Sequence, residues 1–145
     1  MTENMLNRKL LTNLKHLLVH CVRIENAVSS GLPDINCCSS AGVEFWIESK
    51  IVREQRISFR NSQVAWITVR SGFGGRCWIF AANGSTLLVY HGNQVFDLAV
   101  NKNGYIRELK PYAVFERPWK YVEIIRLCTT APFIPKPMEM ISNTY

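Results

Sequence analysis

Leucines at positions 6, 10, 11, 14, 17 and 18, separated by Asn, Arg and Lys, recur at helical spacing and predict an amphipathic helix over residues 5–18 with one apolar stripe against a sheet. The period then changes. Residues 34–38 and 43–50 are rich in Ile, Val, Phe, Trp and Cys, and the turn-like Ser39-Ser40-Ala41-Gly42 between them makes the pair a β-hairpin. Residues 19–25 are open to two readings. Leu18, Val22 and Glu25 keep a four-then-three step that would continue the helix, whereas the β-branched Val and Ile favour an extended chain. Ser29-Ser30-Gly31 with Pro33 is a stop and turn that delivers the chain into the first strand at Asp34.

Residues 51–60 show no sustained period and read as a mobile loop beside that hairpin. Asn61 or Ser62 can cap a helix running to about Arg70, with Val64, Trp66 and Ile67 on its packing side. The glycine-rich stretch Ser71 to Gly75 ends it as a flexible turn. No Gly-Lys-Ser/Thr follows and the order is helix to strand, so a nucleotide-binding loop is excluded. Arg76–Ala82 and Thr86–Tyr90 flank Asn83-Gly84 as a second hairpin, its first strand apolar throughout and suited to a sheet interior. Gln94 to Val100 reads as a short helix, and Pro118 to Leu127 as a closing helix with Trp119, Val122, Ile125 and Arg126. The pattern predicts one α/β domain over residues 1–128, a sandwich with one mixed central sheet in the order α-β-β-α-β-β. A frayed or extended tail, 129–145, carries Pro132, Pro135 and Pro137.

Composition agrees with a folded domain: 145 residues, 48% hydrophobic and 19% charged, are enough for a core without staples. The chain lacks an eighteen-residue apolar run and a signal-peptide pattern, so a cytosolic protein with no membrane partner is expected. Five cysteines (21, 37, 38, 77 and 128) form an odd set without a C-x-x-C pair, and reduced, partly buried thiols are the expectation. His16 and His20 stand four apart, a metal-binding spacing on a helix, but two imidazoles without a third ligand are more often surface or satisfied core residues.

Charge changes the picture by its distribution. Residues 50–76 hold Lys50, Arg53, Arg56, Arg60, Arg70 and Arg76 against the single acid Glu54, which is +5 of the net +6. That basic run follows a cluster of another kind. Asp34 and Glu48 are fourteen apart, an even separation that lets them sit opposite each other on one face of adjacent antiparallel strands, and Lys50, two beyond Glu48, shares the face. Burying two carboxylates and an ammonium is costly unless a cation or a phosphate fills the space between them. Oxygen ligands without a His or Cys cluster favour Mg²⁺, with Mn²⁺ able to substitute, and a basic flank suits a polyanion.

In order along the chain, Arg23-Ile24-Glu25-Asn26, Gly31-Leu32-Pro33-Asp34, Trp46-Ile47-Glu48-Ser49-Lys50, Gln63 with Trp66, and Gly74-Gly75-Arg76 before an apolar strand resemble the PD-(D/E)XK nuclease superfamily. Within it they are similar to the virus-type replication-repair nucleases and the phage Holliday-junction resolvase-like endonucleases. The resemblance covers roughly residues 19–90. It implies a restriction-endonuclease-like sandwich and a metal-dependent endonuclease hydrolysing DNA phosphodiesters at junctions or other branches. Such an enzyme would work as a homodimer, in the host cytoplasm if phage-encoded. Asp34 and Glu48, with the backbone carbonyl of Ser49, would hold Mg²⁺, and Lys50 would orient water or add positive charge in the transition state.

If residues 19–25 are helical, Glu25 is either a helix-end residue reaching solvent or an inward carboxylate, and spacing alone favours the first. The resemblance makes it an additional metal or water contact with Arg23 and Asn26 in support. Gln63 would touch the site or the DNA backbone, and Arg53, Arg56, Arg60 and Arg76 would contact DNA. Ser49 departs from the bulky apolar residue common between the acid and the lysine, so the reverse face of the strand is expected to be less buried. The rival readings are a non-catalytic basic nucleic-acid-binding module on the same fold and a nuclease for RNA or linear DNA ends; salt-sensitive binding without Mg²⁺-dependent nicking marks the first.

Overall fold

The Thr2 hydroxyl accepts the Met5 N–H at 3.2 Å and so caps helix α1 (Glu3–His16). The structure, a computed structural model, describes residues 1–25 and 31–131. Leu6, Leu10 and Leu14 are fully buried and anchor α1, each contributing about 1.5–3 kcal/mol by burial. The apolar stripe stops there. Leu18 takes a left-handed φ of 62°, and the N–H groups of Leu17, Leu18 and Val19 close on the Leu14 and Lys15 carbonyls, leaving Leu17 and Leu18 exposed. Residues 20–23 then become a strand, which decides the ambiguity at 19–25.

Among the described residues six strands form one sheet in chain order. They are β1 (His20–Arg23), β2 (Ile35–Cys38), β3 (Glu44–Ile51), β4 (Cys77–Asn83), β5 (Thr86–His91) and β6 (Ala113–Phe115). All neighbours are antiparallel except β3 and β4, which run parallel because helix α2 (Asn61–Gly72) carries the chain back between them. The expected architecture, a mixed sheet flanked by helices, is what forms. Helices α1 and α3 (Tyr121–Thr130) cover one face over Phe45, Ile47, Trp78, Phe80 and Val89. Helix α2 and the stretch 92–109 cover the other over Ile57, Ile67, Ile79, Tyr90 and Leu98. With both faces covered, β4 is buried almost end to end, as its continuous apolar run predicts.

Several local expectations change. Residues 51–60 are a bonded structure in place of a mobile loop: Arg53 and Arg56 exchange backbone hydrogen bonds around Glu54 and Gln55, both at positive φ. Ile57 is buried, and its N–H donates to the Gly104 carbonyl at 2.9 Å. Without glycine at either central position the turn leaves no signature in the sequence. Residues 92–101 form a 3-10 turn (Gly92–Gln94) and a π-helical turn (Asp97–Asn101) in place of the one short helix that the pattern predicts. The three-residue β6 has no sequence signal of its own; its pairing with β5 makes it a strand.

Helix α3 turns Ile124 and Cys128 inward while Val122 is exposed, and it continues through Thr130, so the tail does not begin at Thr129. The tail prolines lie outside the described residues. All five cysteines are free, as expected. Cys37 faces Cys21 across the β1–β2 register, and the neighbouring Cys21 thiol, then burial, push the Cys37 thiol far above its ordinary pKa. Among the described residues no helix is long and apolar enough to cross a membrane.

Candidate metal centre

Gly31 sets the approach to the site. Its φ is +97°, and a Cβ there would meet the Ser62 carbonyl oxygen at 2.4 Å, so glycine alone lets this turn lie against the first turn of α2. The chain then enters β2, where Ile35 pairs with Ile47. One step further out the same register sets Asp34 across from Glu48, as the even separation allows. β3 alternates its backbone groups: the N–H groups of Trp46 and Val52 donate to Arg76 and Ala82 on the β4 side, which turns those of Ser49 toward β2. The Ser49 N–H accordingly donates to Asp34 Oδ2 at 2.9 Å.

Glu48 and Lys50 project toward α2, and both are buried, 1% and 7% exposed, a costly arrangement that needs partners. Gln63 supplies them. Its Nε2 donates to Glu48 Oε2 at 2.8 Å, while its Oε1 accepts from Lys50 Nζ at 2.9 Å and from the Arg60 N–H at 3.0 Å. A carboxylate only accepts and an ammonium only donates, so this network dictates which way the amide faces. Lys50 Nζ also lies 3.4 Å from Glu48 Oε2 and 5.1 Å from the centre of the Phe59 ring. The other carboxylate oxygen, Glu48 Oε1, is buried with no hydrogen-bond partner.

The acid that joins the pair is Glu3. A carboxylate oxygen from each of Glu3, Asp34 and Glu48 lies within 4.8 Å of the others, an all-oxygen group with no His or Cys. Burial first, then the Asp34 charge, push the Glu48 carboxyl up to about 8 against the partial relief of Lys50. A divalent cation would reverse both effects, and an unpartnered buried oxygen among three carboxylates fits a hard, oxygen-seeking ion such as Mg²⁺ or Mn²⁺. Glu3 lies ahead of the helix that the leucine repeat predicts from residue 5, so the sequence does not single it out. Nothing local links it to Asp34, thirty-one residues away.

The other candidates separate. Glu25 is exposed just past β1 and is not among the clustered carboxylates, where Glu3 stands beside Asp34 and Glu48. Arg23 donates to Asn4 Oδ1 and so ties β1 to the first turn of α1, beside Glu3. Asn26 lies outside the described residues. Arg53, Arg56 and Arg60 are exposed along the segment between β3 and α2. Gln63, 5% exposed, reaches Lys50 and Glu48 rather than the surface.

Arg76 precedes β4 at the far end of the strands. It donates to the Ala131 carbonyl at 2.8 Å, so it braces α3 and does not join the site. Ser49 is fully buried with its hydroxyl unpartnered, so the reverse face of β3 is closed where it was expected to be more open. His16 ends α1 and His20 opens β1, so they share no helix.

One solved structure similar to this chain is a Holliday junction resolvase, Hjc, from the archaeal hyperthermophile Archaeoglobus fulgidus. The likeness has a TM-score of 0.47 and 20% identity, over 61% of this chain and 75% of that one. No protein-family model and no curated protein matches the chain.

Proposed function

We propose that this protein is a divalent-cation-dependent endonuclease that hydrolyses DNA phosphodiester bonds, with branched DNA such as a four-way junction as substrate. The observation that carries the reading is the group of Glu3, Asp34 and Glu48 carboxylates beside a buried Lys50 that is held in place by Gln63. Asp34 and Glu48, with Glu3 and the Ser49 carbonyl, would hold Mg²⁺, and Mn²⁺ would substitute. Once bound, the ion supplies Lewis-acid activation of the attacking water and neutralises charge on the phosphate. Lys50 adds a fixed positive charge where the transition state gathers negative charge, and Gln63 holds its ammonium in place without a rearrangement during reaction. Asp34 is oriented by the Ser49 N–H and Glu48 by Gln63, so each carboxylate presents a defined oxygen.

Exposed Arg53, Arg56 and Arg60 lie next to Lys50 in the chain and would bind phosphates flanking the cut. The branched substrate follows from the motif order that resembles resolvase-like nucleases. Paired cuts across a four-way junction need two sites, which we assign to a homodimer.

The test is a cleavage panel of four-way junction, flap, linear duplex and single strand, as DNA and RNA, at fixed salt with Mg²⁺. Glu48→Ala protein is the control, and light scattering measures the oligomer. Mg²⁺-dependent cutting of the junction that Glu48→Ala abolishes is the expected result. Salt-sensitive binding with no cutting of any substrate would instead mean a basic binding module on this fold.

A further inference from the structure

Phe59, next to Lys50, also lines a cavity of about 350 Å³. Three segments wall it: residues 56–59, the first turns of α2, and the stretch from Phe96 through the π-helical turn to Asn103. Its shape is built in. Gly104 has φ +80°, and a Cβ there would meet the Ile57 carbonyl oxygen at 2.1 Å, so glycine permits the close approach that seats 103–106 against 55–57. The Ile57 N–H donates to Gly104 and the Ile106 N–H to Gln55, at 2.9 and 3.1 Å. The Arg56 side chain closes the same contact, its Nε donating to the Asn103 carbonyl at 2.6 Å.

The lining has a distinct chemistry. The lining residues include the aromatic Phe59 and Phe96, the amide-bearing Asn61 and Asn103 and the cationic Arg56, and no acid is among them. Val64, Ala65, Ala99 and Val100 add apolar surface to the wall. Aromatic faces suit a flat heterocycle, and an amide carries the donor and acceptor that match the edge of a base. Phe59 joins cavity to site, since the ring that lines the cavity also lies 5.1 Å from Lys50 Nζ.

We propose that this cavity receives one unstacked nucleobase from a nucleotide next to the phosphate held at the carboxylate site. The inference rests on the DNA-binding part of the proposed function and deepens it, because it says how a branch is chosen. Extruding a base from continuous duplex costs unstacking energy, whereas a base at a branch point has already lost part of its stack. The cavity therefore favours branched over continuous DNA.

The experiment is a thermodynamic cycle on binding, in EDTA so that no strand is cut, with the full chain and a four-way junction. One arm scans an abasic site through the positions around the branch. The other fills the cavity with Val100→Trp at a half-exposed lining position. A base seated in the cavity makes one abasic position and the filled cavity each weaken binding by about 5–100-fold, with the combination no worse than either alone. Asn103→Gly, which keeps the positive φ of 53° and removes the amide, gives the same non-additivity if Val100→Trp fails to fold. Penalties that multiply, or a scan in which no abasic position matters, overturn the proposal. Mg²⁺-dependent cutting of the same junction is measured separately, so a nuclease without a base seat and a base seat without nuclease activity give different results.

Discussion

Gln63 Oε1 accepts a hydrogen bond from Lys50 Nζ at 2.9 Å, and through it the first turn of α2 fixes the ammonium that the end of β3 presents. The same amide holds Glu48 by its nitrogen. Replacing Gln63 by Ala leaves both charges buried with fewer partners and free to pair more closely with each other. Single-turnover cleavage is expected to slow by about 10–100-fold, while the Kd for DNA stays within about twofold, since Gln63 is not at the surface. An equal loss of binding and rate would assign it to DNA contact instead.

Asp34→Asn is expected to preserve the fold, because the amide oxygen can still accept the Ser49 N–H, yet to lower cleavage by roughly 10²–10⁴-fold through weakened cation binding. Calorimetric titration with Mn²⁺ and circular dichroism separate the two effects. Mg²⁺ should raise the melting temperature of the native protein and not that of Glu48→Ala, and EDTA should abolish cleavage while DNA binding persists.

Gly31→Ala introduces a Cβ at positive φ within 2.4 Å of the Ser62 carbonyl oxygen. A destabilisation of about 1–3 kcal/mol is expected in urea denaturation. Because the turn also delivers Asp34, cation affinity should fall in the folded variant, which a distant destabilising substitution would leave intact.

His91 contributes one part of the pH dependence, against Glu48, whose carboxyl, raised to about 8, makes the cation-free fold more stable as pH falls. The His91 Nδ1 accepts the Asn93 N–H at 3.0 Å, which requires a neutral ring, and burial first, then the Arg76 charge, lower its pKa below 6.5. The unfolded chain binds this proton more readily than the folded one. The stability contributed by His91 is therefore full above about pH 6.5 and is lost as pH falls through the folded value. On lowering the pH from 7.5 to 5, the melting temperature of the native protein relative to that of His91→Asn should fall; parallel curves would rule the group out.

Arg53 and Arg60 are exposed and flank the site. Substituting each by Ala should reduce the slope of log K against log salt by about 0.9 for every phosphate no longer neutralised, with the cleavage rate at saturating DNA little changed. Arg76→Ala, at the far end of the strands, should lower thermal stability by removing the hydrogen bond to the Ala131 carbonyl and leave that slope unchanged.

Periodicity alone makes much of this molecule legible. The leucine repeat of α1, the Asn83-Gly84 hairpin and the apolar run of β4 are visible because each is set by neighbours along the chain. The hairpin shifts by one residue, its loop being Gly84 and Ser85, because Asn83 still pairs with Thr86. Where a segment is stabilised by distant partners the sequence is silent. The Arg53–Arg56 turn carries no glycine and is held by the 103–106 segment, and β6 exists only because β5 offers it an edge.

The chemistry divides in the same way. Asp34, Glu48 and Lys50 could be brought together from the chain by itself, because alternation along a strand is a local geometric rule and an even separation permits the pairing that the loop between β2 and β3 then selects. Glu3, the inward Gln63 and the removal of Arg76 from the site were decided only by tertiary structure. Which helix end reaches a strand end depends on how α1 and α2 lie across the sheet, and that is set by the packing of side chains far apart in sequence.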